Sequence, residues 1–294
     1  MNTSGEFLEK KTTQIQLRTH IARSIENQVR FALATDSHFS EKEPLDDKHY
    51  SESLLKMQEF VSSVNDEDCS FAIHLGDFKD EDLIPDPEST LDYLQRMEEA
   101  FSEFRGMRFH CIGNHDLDSI TKNDFLDHVE NSTIDARKSY YSFEVGSVKF
   151  LVLDANFSSE GEDHFFQEGG DWERPFLPEH ELRWLETELN SSSQPCIVFC
   201  HHPLFAYIKN GRSYHVVNYP DVRGILEVSG KVVAVFNGHM HEEMFHEINS
   251  IQYLAMNSML EGTFVQRNCF YTIEVSASRL VVDRFDRINA NLYS

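Results

Sequence analysis

A mixed α/β fold is what this sequence predicts, and three patterns carry the prediction. Short apolar runs rich in Val, Ile, Phe and Ala recur along the chain. Amphipathic stretches with helical spacing fall between the early ones, and beyond Tyr140 pairs of runs follow each other across two-residue turns. Strand–helix alternation favours parallel pairing and the later hairpins add antiparallel pairs, so the sheets are expected to be mixed.

The first strand is expected at Val29 to Thr35, ending on Asp36. A helix follows from about Lys48 to Val64, with Leu54, Leu55, Met57, Phe60, Val61 and Val64 on one broad face. The second strand, Phe71 to Leu75, is stopped by Gly76; Leu91, Leu94, Phe101 and Phe104 then repeat at helical spacing before a third strand, Arg108 to Ile112, stopped by Gly113. Tyr141 to Val145 and Val148 to Leu153 flank Gly146 and Ser147, a hairpin signal. Pro178 opens a helix through Leu189, since its missing N–H is harmless there. Strands at Cys196 to Cys200 and Val232 to Phe236 bracket an aromatic loop and a short helix near Asp221 to Val228. The tail reads as two hairpins, Phe245 to Ile248 with Ile251 to Met256, and Phe270 to Val275 with Leu280 to Phe285.

No repeat or Pro/Gly linker divides the chain, so residues 1–294 are read as a single domain. Within it lie a motif-bearing core at 28–245, long loops at 155–178 and 204–220 that read as rims, and C-terminal strands at 246–294.

Composition narrows the function. With 26 Lys plus Arg against 50 Asp plus Glu, the formal charge of −24 argues against binding in a nucleic-acid groove, which basic residues drive. No apolar run is long enough to span a bilayer and the polar N-terminal stretch, Met1 to Gln28, lacks a signal peptide's hydrophobic segment, so a soluble, cytoplasmic protein is expected. The five cysteines (Cys69, Cys111, Cys196, Cys200, Cys269) form no C-x-x-C pair and read as buried, reduced thiols. Oligomeric state leaves no signature. Fifteen histidines are harder to set aside, because imidazole is the commonest transition-metal ligand.

Five polar clusters stand directly after predicted strands: Asp36-Ser37-His38, Gly76-Asp77, Gly113-Asn114-His115-Asp116, His201-His202-Pro203 and Gly238-His239-Met240-His241. Ligands of α/β sheets bind beyond the carboxyl ends of the strands, so clusters scattered over the chain can meet in one crevice. Singly, each residue has an ordinary explanation as a cap or surface side chain. Jointly they supply Asp, His and Asn with no thiolate, a donor set suited to Mn, Fe, Zn or Mg and large enough for two ions.

In this order and context the clusters resemble the five motifs of the calcineurin-like metallophosphoesterases: D-x-H, G-D-x-x-D (Gly76, Asp77, Asp80), G-N-H-D, H-x-P and G-H-x-H. The resemblance implies a four-layer α/β/β/α sandwich, two mixed sheets flanked by helices. It implies one divalent metal on Asp36, His38 and His241, a second on Asn114, His201 and His239, and Asp77 bridging them, with Mn favoured. His201 is taken from the doublet because the family's ligand stands two residues before proline. A hydroxide bridging the metals would attack phosphorus in line, while His115 contacts the phosphoryl group and protonates the leaving oxygen, and Asp116 orients or acidifies His115.

The implied function is hydrolysis of a small phosphodiester or phosphomonoester. The Tyr140 to Asp154 hairpin, the Pro178 to Leu189 segment and the stretch Asn257 to Gly262 also resemble the manganese-dependent ADP-ribose/CDP-alcohol diphosphatases, although those carry Glu where this chain has Asp116. A non-catalytic binding scaffold on the same fold is the reading of another class, opposed by the filled ligand set. Around the crevice, His202, Tyr207, Tyr214 and His215 are rim candidates, with His164, Phe165, Phe166, Trp172 and Tyr219 in the same loops. Such aromatics either stack on substrate or form a satellite cluster under the loops. Asp80 reads as a loop hydrogen-bond acceptor, and the run Asp80 to Asp82 as a solvated face.

Overall fold

The chain forms, in order, β1 (Phe7–Gln16), β2 (Val29–Ala34), α1 (Ser53–Val64), β3 (Phe71–His74), α2 (Pro87–Ser102), β4 (Met107–His110), α3 (Lys122–His128), β5 (Tyr141–Val145) and β6 (Val148–Leu153). It continues through α4 (Glu179–Ser191), β7 (Cys196–Cys200), β8 (Ile208–Lys209), β9 (Arg212–Ser213), α5 (Tyr219–Ser229), β10 (Val232–Asn237), β11 (Met244–Ile248), β12 (Ile251–Ala255), β13 (Phe270–Val275) and β14 (Arg279–Ile288). The structure is a computed structural model that describes residues 7–164 and 174–288.

Two six-stranded mixed sheets carry the architecture, ordered β1-β14-β13-β2-β3-β4 and β11-β12-β10-β7-β6-β5. In the first, β2, β3 and β4 run parallel and the rest antiparallel; in the second, β6, β7, β10 and β12 run parallel between antiparallel edges. The sheets face each other across one apolar layer. Phe31 and Phe71 of the first meet Phe150 and Phe199 of the second, with ring centroids 4.9 to 6.5 Å apart. Helices α1 to α3 cover the outer face of the first sheet, and α4 and α5 that of the second, giving four layers in the expected order.

Local chemistry explains most boundaries. Asp86 accepts the Ser89 N–H to cap α2, with Pro87 in the first turn. The α1 segment enters through a 3-10 turn at Tyr50–Glu52, later than the expected Lys48. Its buried face includes Lys56, whereas Leu55, expected there, is exposed.

Besides the short β8–β9 hairpin, strand β1 and helix α3 lie outside the sequence expectation. The polar N-terminal stretch contributes β1, an edge strand paired along its length with β14. Its charged side chains suit an edge, where one side faces water. Helix α3 follows a capping box, Thr121 and Asp124 each accepting the other's backbone N–H.

The cysteines are unpaired; four are buried and Cys69 is only half-buried, contrary to expectation. Among the described residues no helix is long and apolar enough to cross a membrane.

Candidate metal centre

The parallel strands of both sheets release their chains at a common edge, and the five polar clusters follow β2, β3, β4, β7 and β10. Backbone hydrogen bonds stitch these turns together. The Asp36 N–H donates to the Gly76 carbonyl, the His38 N–H to Asp77 and the Gly238 N–H to His201. The His239 N–H reaches the Asp36 carboxylate at 3.0 Å.

Asp36, His38, Asp77, His239 and His241 all have positive φ, from 48° to 67°. The left-handed region costs an L-residue about 1 kcal/mol or more, and strain of this kind gathers where function fixes a side chain. Two motif glycines follow from crowding. A Cβ on Gly113 would lie 2.3 Å from the Asp77 carboxylate, and one on Gly238 would lie 2.1 Å from Thr35 Oγ1 and 2.5 Å from Asp36 Oδ2.

The side chains converge in two groups. In one, His241 Nε2 lies 3.2 Å from His38 Nε2 and 3.3 Å from Asp36 Oδ1. In the other, His201 Nε2 lies 3.2 Å from His239 Nδ1. Asp77 stands between them, its Oδ2 3.4 Å from His38 Nε2 and 3.2 Å from His201 Nε2. Ligand atoms about 2.1 Å from a shared cation sit about 3.0–3.4 Å from one another, so these spacings suit an ion in each group. Asn114 lines the same cleft, and its Oδ1 is buried with no hydrogen-bond partner among the described residues, as a neutral oxygen donor awaiting a cation would be.

The far sides of the imidazoles are held. Asp80 faces His38 Nδ1 at 3.3 Å, Glu261 holds His241 Nδ1 at 2.5 Å, and the Leu75 carbonyl lies 2.8 Å from His201 Nδ1. Such partners fix the tautomer and aim Nε2 inward. The expectation that the Asp80 run is a solvated face is therefore corrected for Asp80, which is buried against His38 and Lys42.

Burial raises the Asp77 carboxyl, but the imidazoles of His201, His38 and His115 outweigh it and hold the group well below the usual carboxylate range. Burial lowers His241, yet Asp36 and Glu261 push it up to about 10. Protons thus stand in where carboxylates converge, and a dication would displace them. Donor set, spacing and electrostatics fit two divalent ions.

His115 stands beside this centre, its ring 4.8 Å from that of His38. Its Nδ1 donates to Asp118 Oδ2 at 2.6 Å. Although burial opposes its charge, Asp118, Asp80 and Asp77 hold His115 well above an ordinary histidine. Asp118, rather than Asp116, therefore supplies the orienting carboxylate. The Asp116 carboxylate accepts the backbone N–H groups of Gly113, Asp77, Phe78 and Lys79, tying the β3 and β4 turns together.

The cleft over the centre has a volume of about 420 Å³ and is walled by His202, Tyr207, Tyr214 and Met240, with Lys48, Lys209 and Arg212 among its lining. The His202 ring lies 4.5 Å from that of His239, and its Nδ1 has no hydrogen-bond partner among the described residues. Tyr214 packs 5.5 Å from His239, and Tyr207 donates its hydroxyl to Glu242. His215 does not line the cleft; its Nδ1 accepts the Tyr207 N–H and its ring packs on Tyr219, bracing the loop from behind. Strands β8 and β9 form a hairpin across Asn210 and Gly211, both at positive φ, within the stretch expected to be an aromatic loop. Phe165, Phe166 and Trp172 lie outside the described residues.

Fold and site together are those of a metal-dependent phosphoester hydrolase. The chain belongs to the calcineurin-like phosphoesterase family, whose model matches residues 29–243. It is 25% identical over 279 residues to a manganese-dependent ADP-ribose/CDP-alcohol diphosphatase of Oryza sativa subsp. japonica, covering 82% of this chain and 84% of that protein. A protein of the same name from Arabidopsis thaliana is 24% identical over 281 residues, covering 83% and 88%. A dimetal phosphatase from Danio rerio shares the fold with a TM-score of 0.70 at 16% identity, over 89% of this chain and 96% of that one.

Proposed function

We propose that Asp36, His38 and His241 hold one divalent cation, Asn114, His201 and His239 a second, and Asp77 both, and that the centre cleaves a diphosphate bridge or related diester in a small anionic molecule. The carrying observation is the position of Asp77 Oδ2, shared between His38 and His201. Divalent cations held by these residues would activate water at neutral pH and offset charge on the phosphoryl oxygens. Manganese is the metal this reading favours, in line with the two relatives' names.

The protein's own groups do the rest. His115, held protonated by Asp118, delivers its proton from Nε2 to the departing oxygen. Lys48 and Arg212 place positive charge in the lining of a cleft in a strongly acidic chain, with Lys209 paired to Glu242 beside them, which suits a substrate with a second anionic group beyond the reacting phosphorus. Tyr207 and Tyr214 offer ring surface to the remainder. These features and the two relatives favour diphosphate bridges over simple monoesters. The scaffold reading finds no support in a ligand set filled at all seven positions. A cytoplasmic setting agrees with the unpaired cysteines, and the acidic balance with a small-molecule substrate rather than a nucleic acid.

The test is a substrate series on chelator-stripped protein reloaded with Mn²⁺: bis-p-nitrophenyl phosphate, p-nitrophenyl phosphate, ADP-ribose, CDP-choline and a cyclic nucleotide. Turnover of bis-p-nitrophenyl phosphate, with ADP-ribose or CDP-choline cleaved at higher kcat/KM, is expected. Preference for the monoester would overturn the substrate class, and no turnover at full metal loading would favour the scaffold.

A further inference from the structure

Lys56 lies on the buried face of α1, and no part of it is exposed. Four successive carbonyls, those of Met259, Leu260, Glu261 and Gly262, lie 2.8, 3.0, 3.0 and 2.6 Å from its Nζ, so they share its three N–H donors. Carbonyl dipoles converging on one point repel each other unless a cation sits among them, so the ammonium sets the path of this segment.

That path ends at the metal centre twice over. The Met259 and Leu260 N–H groups donate to the Thr35 and Asp36 carbonyls, and Ser258 Oγ also bonds the Asp36 carbonyl. One residue further, the Glu261 carboxylate holds His241 Nδ1 and leaves Nε2 facing Asp36. Asp36 and His241 are thus both referred to the segment that Lys56 organises.

We propose that Lys56 is a positioning residue for the cation site of Asp36, His38 and His241, acting through the 259–262 segment and Glu261. The proposal rests on the two-cation reading above. It implies a selective effect: among the described residues none of Asn114, His201 and His239 hydrogen-bonds to this segment, and the His239 N–H meets it only through Asp36, so that site is expected to keep its affinity.

Calorimetric titration of Mn²⁺ alone into the chelator-stripped full chain tests this, in wild type, Lys56→Met, Lys56→Arg, Glu261→Gln and the Lys56→Met/Glu261→Gln double variant. Wild type is expected to bind two ions. Each single variant is expected to lose about 10- to 100-fold in affinity at one site only, the range typical when a ligand's supporting partner is removed. The double variant loses no more than the worse single, because both act along one route. Lys56→Arg belongs in the set because a planar guanidinium cannot gather four carbonyls around one atom, and it keeps the question answerable if Lys56→Met does not fold. Raised Mn²⁺ should restore kcat in the folded variants. Unchanged affinity at both sites in a folded Lys56 variant, equal weakening of both sites, or additive losses in the double variant would each overturn the proposal. Failure of wild type to bind Mn²⁺ would instead remove the two-cation reading.

Discussion

His115 is the one residue of the centre proposed to act on the leaving group rather than on a cation, and this separates it experimentally from its neighbours. Its Nδ1 is tied to Asp118, so removing the imidazole takes away a proton donor and leaves the ligand atoms where they are. His115→Ala is expected to lower kcat by about two to four orders of magnitude. Metal content, counted by elemental analysis, should stay at the wild-type value; loss of metal would make His115 a ligand. The seven proposed ligands are legible in sequence because each belongs to a short motif at the end of an apolar run. Asp118, Glu261 and Lys56 are not. A lone acid or lysine carries no spacing signature, and its role appears only when separate loops meet, as when residues 259–262 close on α1. Asp116 misled for the opposite reason: adjacency to His115 suggested a partnership, whereas the turn directs its carboxylate to backbone N–H groups.

At the level of elements, the strand-end turns do the positioning, and their glycines are spaces occupied by neighbours. Gly238→Ala would set a methyl group against Thr35 Oγ1 and the Asp36 carboxylate. Overpacking of this kind costs about 1–3 kcal/mol, so the melting temperature should fall. Mn²⁺ affinity should fall with it, most at the site that includes Asp36, and a variant with wild-type affinity would show that the Gly238 turn does not set the site. The buried strands β2, β3, β7 and β10 are read from their apolar runs to within a residue or two, because burial on both faces leaves few polar interruptions. Edge elements escape the same reading. Strand β1 is charged because one side meets solvent, and the β8–β9 hairpin is too short for periodicity and is marked only by Asn210-Gly211.

Across the whole molecule, the packing that gathers the turns also buries charge, and stability should record it. Glu181 of α4 is fully buried; its Oε1 accepts the Asp154 N–H while Oε2 has no hydrogen-bond partner among the described residues. Burial, reinforced by the Asp154 charge, raises its carboxyl well above an ordinary glutamate. The folded protein therefore keeps a proton that the unfolded chain releases above its ordinary value of 4.5, and stability falls as pH rises from there toward the folded-state pKa. The slope is about 1.4 kcal/mol per pH unit. Glu181→Gln removes this loss, so its melting temperature should exceed wild type by a margin that grows with pH; parallel profiles would mean that Glu181 ionises freely in the fold. The four-layer arrangement itself follows from strand order and helix placement, which the sequence suggests only through the family resemblance. Its consequence is an edge where turns from two sheets share one carboxylate, Asp77. Crystals soaked in Mn²⁺ and measured at the manganese absorption edge test that directly. Two anomalous peaks about 3.5–4 Å apart, one on each side of Asp77 Oδ2, are the expected result; a single peak, or peaks that leave Asp77 uncoordinated, would contradict it.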